Sequence, residues 1–173
     1  MAACTSTLRT AVKFLREVFR HRISSGGSAR TLGDIYNYHP VPGLFSTSGQ
    51  PSEQQFALIK AAGVRTVINL APNSVLENAL VDERRILDHS GVDYVHIPVD
   101  FQNPTQRDFE EFCAQIERVD HATLWVHCAA NMRVSAFVFR YRTERLGVDS
   151  DVAMQDLHKI WRPFGVWREF LNL

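Results

Sequence analysis

Three short apolar runs, Val64–Leu70, Tyr94–Val99 and Leu124–His127, alternate along the chain with stretches whose apolar residues recur at helical spacing. Runs of this length with β-branched residues suit strands buried on both faces, and strands separated by helices favour parallel pairing, because a parallel connection needs a crossover. The expected fold class is therefore α/β, a mostly parallel central sheet flanked by helices. Local signals mark the helix starts. Ser52 with Gln55, and Thr105 with Asp108, form capping boxes, the first opening a helix through Ala62 and the second a helix that buries Phe109, Phe112, Cys113 and Ile116. Gly63 and Gly91 are stops, the latter closing a helix expected over Leu76–His89. Gly43–Ser48 reads as a further short strand, and Asp149 or Ser150 opens a helix to about Trp161.

The stretch Trp125-Val126-His127-Cys128-Ala129-Ala130-Asn131-Met132-Arg133-Val134-Ser135 is a strand ending in a thiol, a short loop and then a helix, with Val134, Phe137, Val138 and Tyr141 on its buried face. In an open parallel sheet, ligands bind beyond the carboxyl ends of the strands, which is where Cys128 falls. A free thiol is mostly uncharged near neutrality and needs help to become a nucleophile. The unpaired N–H groups and positive end of a helix start supply that help and also favour a bound oxyanion. Ala129 and Ala130 allow close approach of the backbone to a ligand, and Asn131 tolerates a left-handed turn. Arg133 offers a forked, permanently charged donor. Nearby Arg140, Arg142 and Arg145 read as solvated helix residues.

This motif resembles the signature of the cysteine-dependent protein tyrosine and dual-specificity phosphatases. His127, Cys128 and Ser135 fall where that family has its His, its nucleophile and its hydroxyl, and Asn131 takes the place of a central Gly. The family leaves five residues between Cys and Arg, whereas here four, Ala129 to Met132, separate Cys128 from Arg133, and Val134 takes the expected Arg position. One residue on a helix is about 100° of rotation. Either the loop is one residue shorter and Arg133 faces the ligand, or the loop is of normal length and the Arg faces elsewhere. The segments Ser48-Gly49-Gln50-Pro51-Ser52-Glu53-Gln54-Gln55-Phe56, Val67-Ile68-Asn69-Leu70 and His96-Ile97-Pro98-Val99-Asp100 look like those of bacterial phosphatase-like domains of the dual-specificity fold. The resemblance runs from about Leu32 to the C-terminus.

The resemblance implies a cysteine-dependent phosphomonoesterase acting through a Cys-phosphate intermediate, with a phosphorylated protein or small molecule as substrate and neither metal nor cofactor. Catalysis would fall to Cys128, Arg133 and Asp100, and the phosphate-binding loop to His127, Ala129, Ala130, Asn131, Met132, Val134 and Ser135. His127 would orient the loop by hydrogen bonding. Ser135 would assist thiolate stability, against the alternative that it bonds its own backbone. Asp100, just past Ile97-Pro98-Val99, is the candidate acid. Asp108 ranks second, because its capping box already employs it. The Cys-to-Arg spacing also occurs in rhodanese-type sulfurtransferases, so a persulfide carried on Cys128 is an alternative activity. A displaced Arg133 leads to another alternative, a weak or inactive pseudophosphatase that binds phosphorylated or anionic partners. Cys113 reads as core, and Trp161, Phe164, Trp167 and Phe170 as core closing the domain rather than a ligand wall.

The 19 basic and 19 acidic residues among 173 balance, which argues against a nucleic-acid-binding surface. The balance is uneven along the chain. Residues 1–30 hold Arg9, Lys13, Arg16, Arg20, Arg22 and Arg30 against Glu17 alone, leaving 13 basic and 18 acidic residues to the rest. Leu8, Ala11, Val12, Leu15, Val18, Phe19 and Ile23 recur at helical spacing opposite those cations, and Ser24–Ala29 reads as a linker. Residues 1–30 are thus expected to be a basic amphipathic extension and residues 31–173 the domain. The extension through residues 8–23 fits a docked helix, contact with a membrane surface or recognition by an import machinery. Three widely spaced cysteines suggest no disulfide framework, so an intracellular, reducing compartment is expected: cytoplasm or, in a eukaryote, the mitochondrion.

Overall fold

The computed structural model describes residues 30–74, 80 and 82–173; the expected helix over residues 8–23 and the linker at 24–29 lie outside the described residues. Five strands form one sheet: β1 (His39–Pro40), β2 (Ser46–Ser48), β3 (Thr66–Asn69), β4 (Asp93–His96) and β5 (Leu124–His127). Their spatial order is β1-β2-β5-β3-β4, and every neighbouring pair is parallel except β1 with β2. The α/β expectation holds, with an antiparallel edge strand that sequence pattern alone did not suggest. The helices are α1 (Glu53–Ala61), α2 (Glu83–Ser90), α3 (Gln106–Ile116), α4 (Met132–Arg140), α5 (Ser150–Ile160) and α6 (Val166–Phe170).

Side chains alternate across β3 and β5, and this builds two cores. Ile68, Val126 and Cys128 join α3, α4, α5 and α6 on one face, whereas Val67 and Trp125 join Phe56 and Ile59 of α1 and Leu87 of α2 on the other. Both expected capping boxes form, with the Ser52 and Thr105 hydroxyls accepting from the Gln55 and Asp108 N–H groups. Phe109, Phe112, Cys113 and Ile116 are all buried, as their spacing requires. The aromatic tail is core as well, with Trp167 wholly buried and Phe164 and Phe170 packed against the same cluster.

Several boundaries differ from expectation for identifiable reasons. The β4 ladder stops at His96; past it the Ile97 N–H still reaches Asn69 O at 2.9 Å, and the Val99 N–H reaches Leu70 O at 3.1 Å. The helix expected over Leu76–His89 is α2, which begins at Glu83; residues 75–79 and 81 lie outside the described residues. In α4 every residue from Met132 to Arg140 is buried, not one face alone. Arg140 and Arg142, expected to be solvated, are buried too. The Arg140 guanidinium sits 4.1 Å from the Phe109 ring centroid and 4.6 Å from that of Phe170 and pairs with Glu144; Arg142 pairs with Asp156. Each cation has found an aromatic face or a carboxylate, which is what lets it leave water.

Gly49, just beyond β2, lies where two backbones come together. A Cβ there would stand 2.7 Å from Tyr36 Cδ1, 3.0 Å from Ala129 O and 3.1 Å from Tyr36 O. Main-chain oxygens cannot swing aside as a flexible side chain would. Gly49→Ala is therefore expected to destabilise the domain by about 1–3 kcal/mol, the cost of overpacking, read as a lower urea midpoint at unchanged slope.

Candidate active site

β5 is the middle strand, and its last residue, His127, lies between Ser48 of β2 and Asn69 of β3. Cys128 follows at the carboxyl edge of the sheet, its N–H donating to Ser48 O at 3.3 Å. The chain then turns through Ala129, Ala130 and Asn131 into α4, whose first helical bond runs from Ser135 N–H to Asn131 O at 3.0 Å. The turn is possible because Asn131 adopts φ 62°, ψ 3°, the left-handed conformation that asparagine tolerates. Asn131 Nδ2 donates to Asn37 O at 2.7 Å and Thr47 Oγ1 at 3.0 Å, and Asn37 Nδ2 returns a bond to Ala130 O at 3.0 Å. With Gln50 N–H on Ala129 O at 3.2 Å, these bonds tie the loop to β2 and the residues flanking β1 and β2.

Three residues, Ala129 to Asn131, stand between Cys128 and α4. Arg133 is accordingly the second residue of α4, in the turn whose N–H groups lack intrahelical acceptors. Its side chain is fully buried, and the guanidinium carbon lies 5.2 Å from the centroid of Phe101. Phe101 directly follows Asp100 in the loop beyond β4. The structure thus brings the Cys128 loop, Arg133 and the Asp100 loop to the same edge of the sheet.

The remaining candidates are placed as follows. Asp100 is exposed, its Oδ1 accepting from Gln102 N–H at 2.9 Å. Asp108 Oδ2 accepts from Thr105 N–H at 2.9 Å and Thr105 Oγ1 at 2.7 Å, which commits it to the cap. Ser135 Oγ donates to Met132 O at 3.0 Å and accepts from Trp161 Nε1 at 3.1 Å, so its hydroxyl serves the helix backbone and the aromatic tail. Met132 and Val134 are buried in the first turn of α4 with the rest of the loop. Cys113 behaves as core: it is buried against the apolar face of α3, and that burial pushes its thiol up to about 11. Among the described residues no group of three or more His, Cys, Asp or Glu side chains has the arrangement of a metal site.

Behind Cys128 lies a polar network that the sequence reading did not identify. His127 Nε2 and Glu83 Oε1 are 3.0 Å apart; Glu83 Oε1 also accepts from Asn69 Nδ2 at 3.2 Å, and Oε2 from Gln50 Nε2 at 2.6 Å. Asn69 Nδ2 reaches Tyr94 OH at 3.1 Å. Burial alone would raise the Glu83 carboxyl. Attraction to and hydrogen bonding with His127, together with hydrogen bonds from Gln50 and Tyr94, outweigh it and hold Glu83 below its ordinary value. Burial and then the Glu83 charge push the Tyr94 hydroxyl upward, keeping it neutral.

Glu83→Ala is therefore expected to cost about 3–5 kcal/mol, the usual loss when one partner of a buried pair is removed. Because the folded-state value of Glu83 is depressed, its stabilisation is present above the ordinary value of 4.5 and is lost as pH falls through the lower folded value. Urea unfolding of wild type and Glu83→Ala should consequently converge as pH falls below about 4.5. Curves that stay equally far apart at every pH would contradict the ion-pair assignment.

Comparison with known proteins agrees with this geometry. Residues 36–161 match the family described as DSP-PTPase phosphatase fused to NAD+ kinase. The chain belongs to that phosphatase family. Among solved structures, it is similar to a DUF442 phosphatase-type protein from Shewanella putrefaciens CN-32, at 36% identity over 82% of this chain and 92% of that chain, with a TM-score of 0.71. The phosphatase domain also shares its fold with the core catalytic domain of the PP-IP phosphatase Siw14 from S. cerevisiae (13% identity, 84% of this chain and 88% of that chain, TM-score 0.68). The same fold appears in P. aeruginosa TpbA in complex with phosphotyrosine (19% identity, 76% of each chain, TM-score 0.58). No curated protein matches the chain. These likenesses favour phosphatase chemistry over sulfur transfer or binding alone.

Proposed function

We propose that this phosphatase domain hydrolyses phosphomonoesters through a covalent intermediate on Cys128. The observation that supports this best is the placement of Cys128 at the end of the central strand, a three-residue turn ahead of a helix that carries Arg133 in its first turn. The Cys128 thiolate attacks phosphorus, forming an S–P bond as the P–O bond to the leaving group breaks. Asp100 supplies the proton to the departing oxygen. Water then attacks the thiophosphate, giving a proton to the Asp100 carboxylate as the S–P bond breaks, which returns Cys128 as thiolate and Asp100 as the acid and releases inorganic phosphate.

The equatorial oxygens carry the developing charge, and the N–H groups of the loop and helix start are aimed at them, with the Arg133 guanidinium as the cationic donor. Both Cys128 and Arg133 are fully buried, so these donors act in a dry environment where they are worth far more than in water. Phosphotyrosine in the fold relative TpbA is consistent with a phosphomonoester substrate here.

The test is release of phosphate from an aryl phosphate by the purified full chain in the presence of a chelator. Turnover that persists with chelator and is competitively inhibited by tungstate is expected. Folded protein without turnover at any pH from about 5 to 8, the range in which such acid–base pairs operate, would overturn the proposal.

A further inference from the structure

We propose that Phe101 is a positioning residue for Arg133, its ring face acting as the platform that steers the guanidinium. The inference rests on the phosphatase reading above. Arg133 is the second residue of α4, so the helix fixes its Cα and leaves the long, rotamer-rich side chain to be aimed by what surrounds it. The helix alone therefore does not aim the guanidinium. A contact from outside the helix has to do so, and the 5.2 Å approach of the Arg133 guanidinium carbon to the Phe101 centroid is such a contact.

Phe101 is itself held at both ends. Its carbonyl accepts from Trp167 Nε1 at 2.9 Å, and its ring packs at 5.3 Å from the Trp167 ring and 5.9 Å from that of Trp161. Trp161 in turn donates to Ser135 Oγ, two residues beyond Arg133. The aromatic tail thus pins the platform and the helix that presents the arginine to one rigid body. Phe101 is also covalently next to Asp100, so the residue that aims the cation belongs to the loop carrying the proposed acid. A ring face attracts a cation through its quadrupole, and the attraction is greatest when both are out of water; Phe101 is 5% exposed and Arg133 0%.

The experiment separates ring electrostatics from packing. In the full chain, residue 101 is replaced by mono-, di- and trifluorinated phenylalanines, which keep the ring's shape while draining its negative face, and also by leucine. Tungstate affinity and, with an aryl phosphate, KM and kcat are then measured. Tungstate affinity should fall stepwise with each fluorine, reaching about 10- to 30-fold in Phe101→Leu, the range of a desolvated cation–π contact. KM should rise in parallel, and kcat should change less. In an Arg133→Ala background the same replacements should have no further effect.

Fluorination that leaves tungstate affinity unchanged, while Arg133→Ala weakens it, overturns this inference alone. A fluorination effect that persists without Arg133 overturns it too, because the ring would then act on something else. If wild type binds no tungstate and Arg133→Ala changes nothing, the phosphatase reading falls and this inference with it.

Discussion

Replacing Cys128 with serine is expected to remove turnover by a factor on the order of 10⁶, the scale on which hydrolases lose activity when their nucleophile is removed. The size of the effect follows from the chemistry assigned to the sulfur. A thiol is a few per cent ionised near neutrality and is polarizable; a serine hydroxyl has neither property and would need a base beside it. His127, next in sequence, is not that base: it lies on the opposite side of the strand and is bound through Nε2 to Glu83. The cradle itself should survive the substitution, since its bonds run through the Cys128 N–H, the Ala129 and Ala130 carbonyls and Asn131. Cys128→Ser should accordingly bind tungstate within about twofold of wild type while releasing no phosphate. Residual turnover above about 1% of wild type would assign the nucleophile to another group.

Arg133→Ala is expected to lower kcat/KM by about 100- to 1000-fold, the cost of losing one preorganised donor to the transition-state oxyanion. Lysine at this position should recover only part of the loss, because a point charge replaces a planar fork that can grip two oxygens at once. The fold should tolerate the change. Arg133 contributes to the site and to the Phe101 face, whereas the first turn of α4 is held by the Ser135 N–H bond to Asn131 O and by the Asn37–Asn131 exchange. A variant that unfolds cooperatively like wild type and yet loses two to three orders of magnitude in turnover is the expected outcome. One that keeps full turnover would show that Arg133 is a buried structural cation.

The parts of the structure legible in the sequence are those whose causes are local. The capping boxes at Ser52 and Thr105 each need two residues three apart, and both form. The strand Leu124–His127 and the left-handed turn at Asn131 likewise follow from the residues that compose them. What was not legible depends on partners distant in the chain. Nothing local marked Glu83; its inward position comes from His127, 44 residues away, and Gln50, 33 residues away. Arg140 and Arg142 looked solvated because nothing nearby in sequence announced Phe109, Phe170 or Asp156 as their partners. Loop length was open for the same reason. Spacing allowed two forms of the turn after Cys128, and the turn that forms is held by Asn37, Thr47 and Gln50 from other parts of the chain.

Ser135 shows how a motif can match while its atoms do something else. Its position agrees with the hydroxyl of the related phosphatases, yet its oxygen is used by Met132 O and the Trp161 indole.

The central claim is that Cys128 becomes covalently phosphorylated during turnover. The most direct measurement is mass spectrometry of the peptide carrying Cys128 after the full chain is mixed with an aryl phosphate and quenched in acid within the first turnovers. The account expects one phosphoryl group on that peptide, at a level that decays as substrate is exhausted, and none on the peptides carrying Cys4 or Cys113. Phosphate release at an undiminished rate with no phosphoryl group on Cys128 at any time would contradict it.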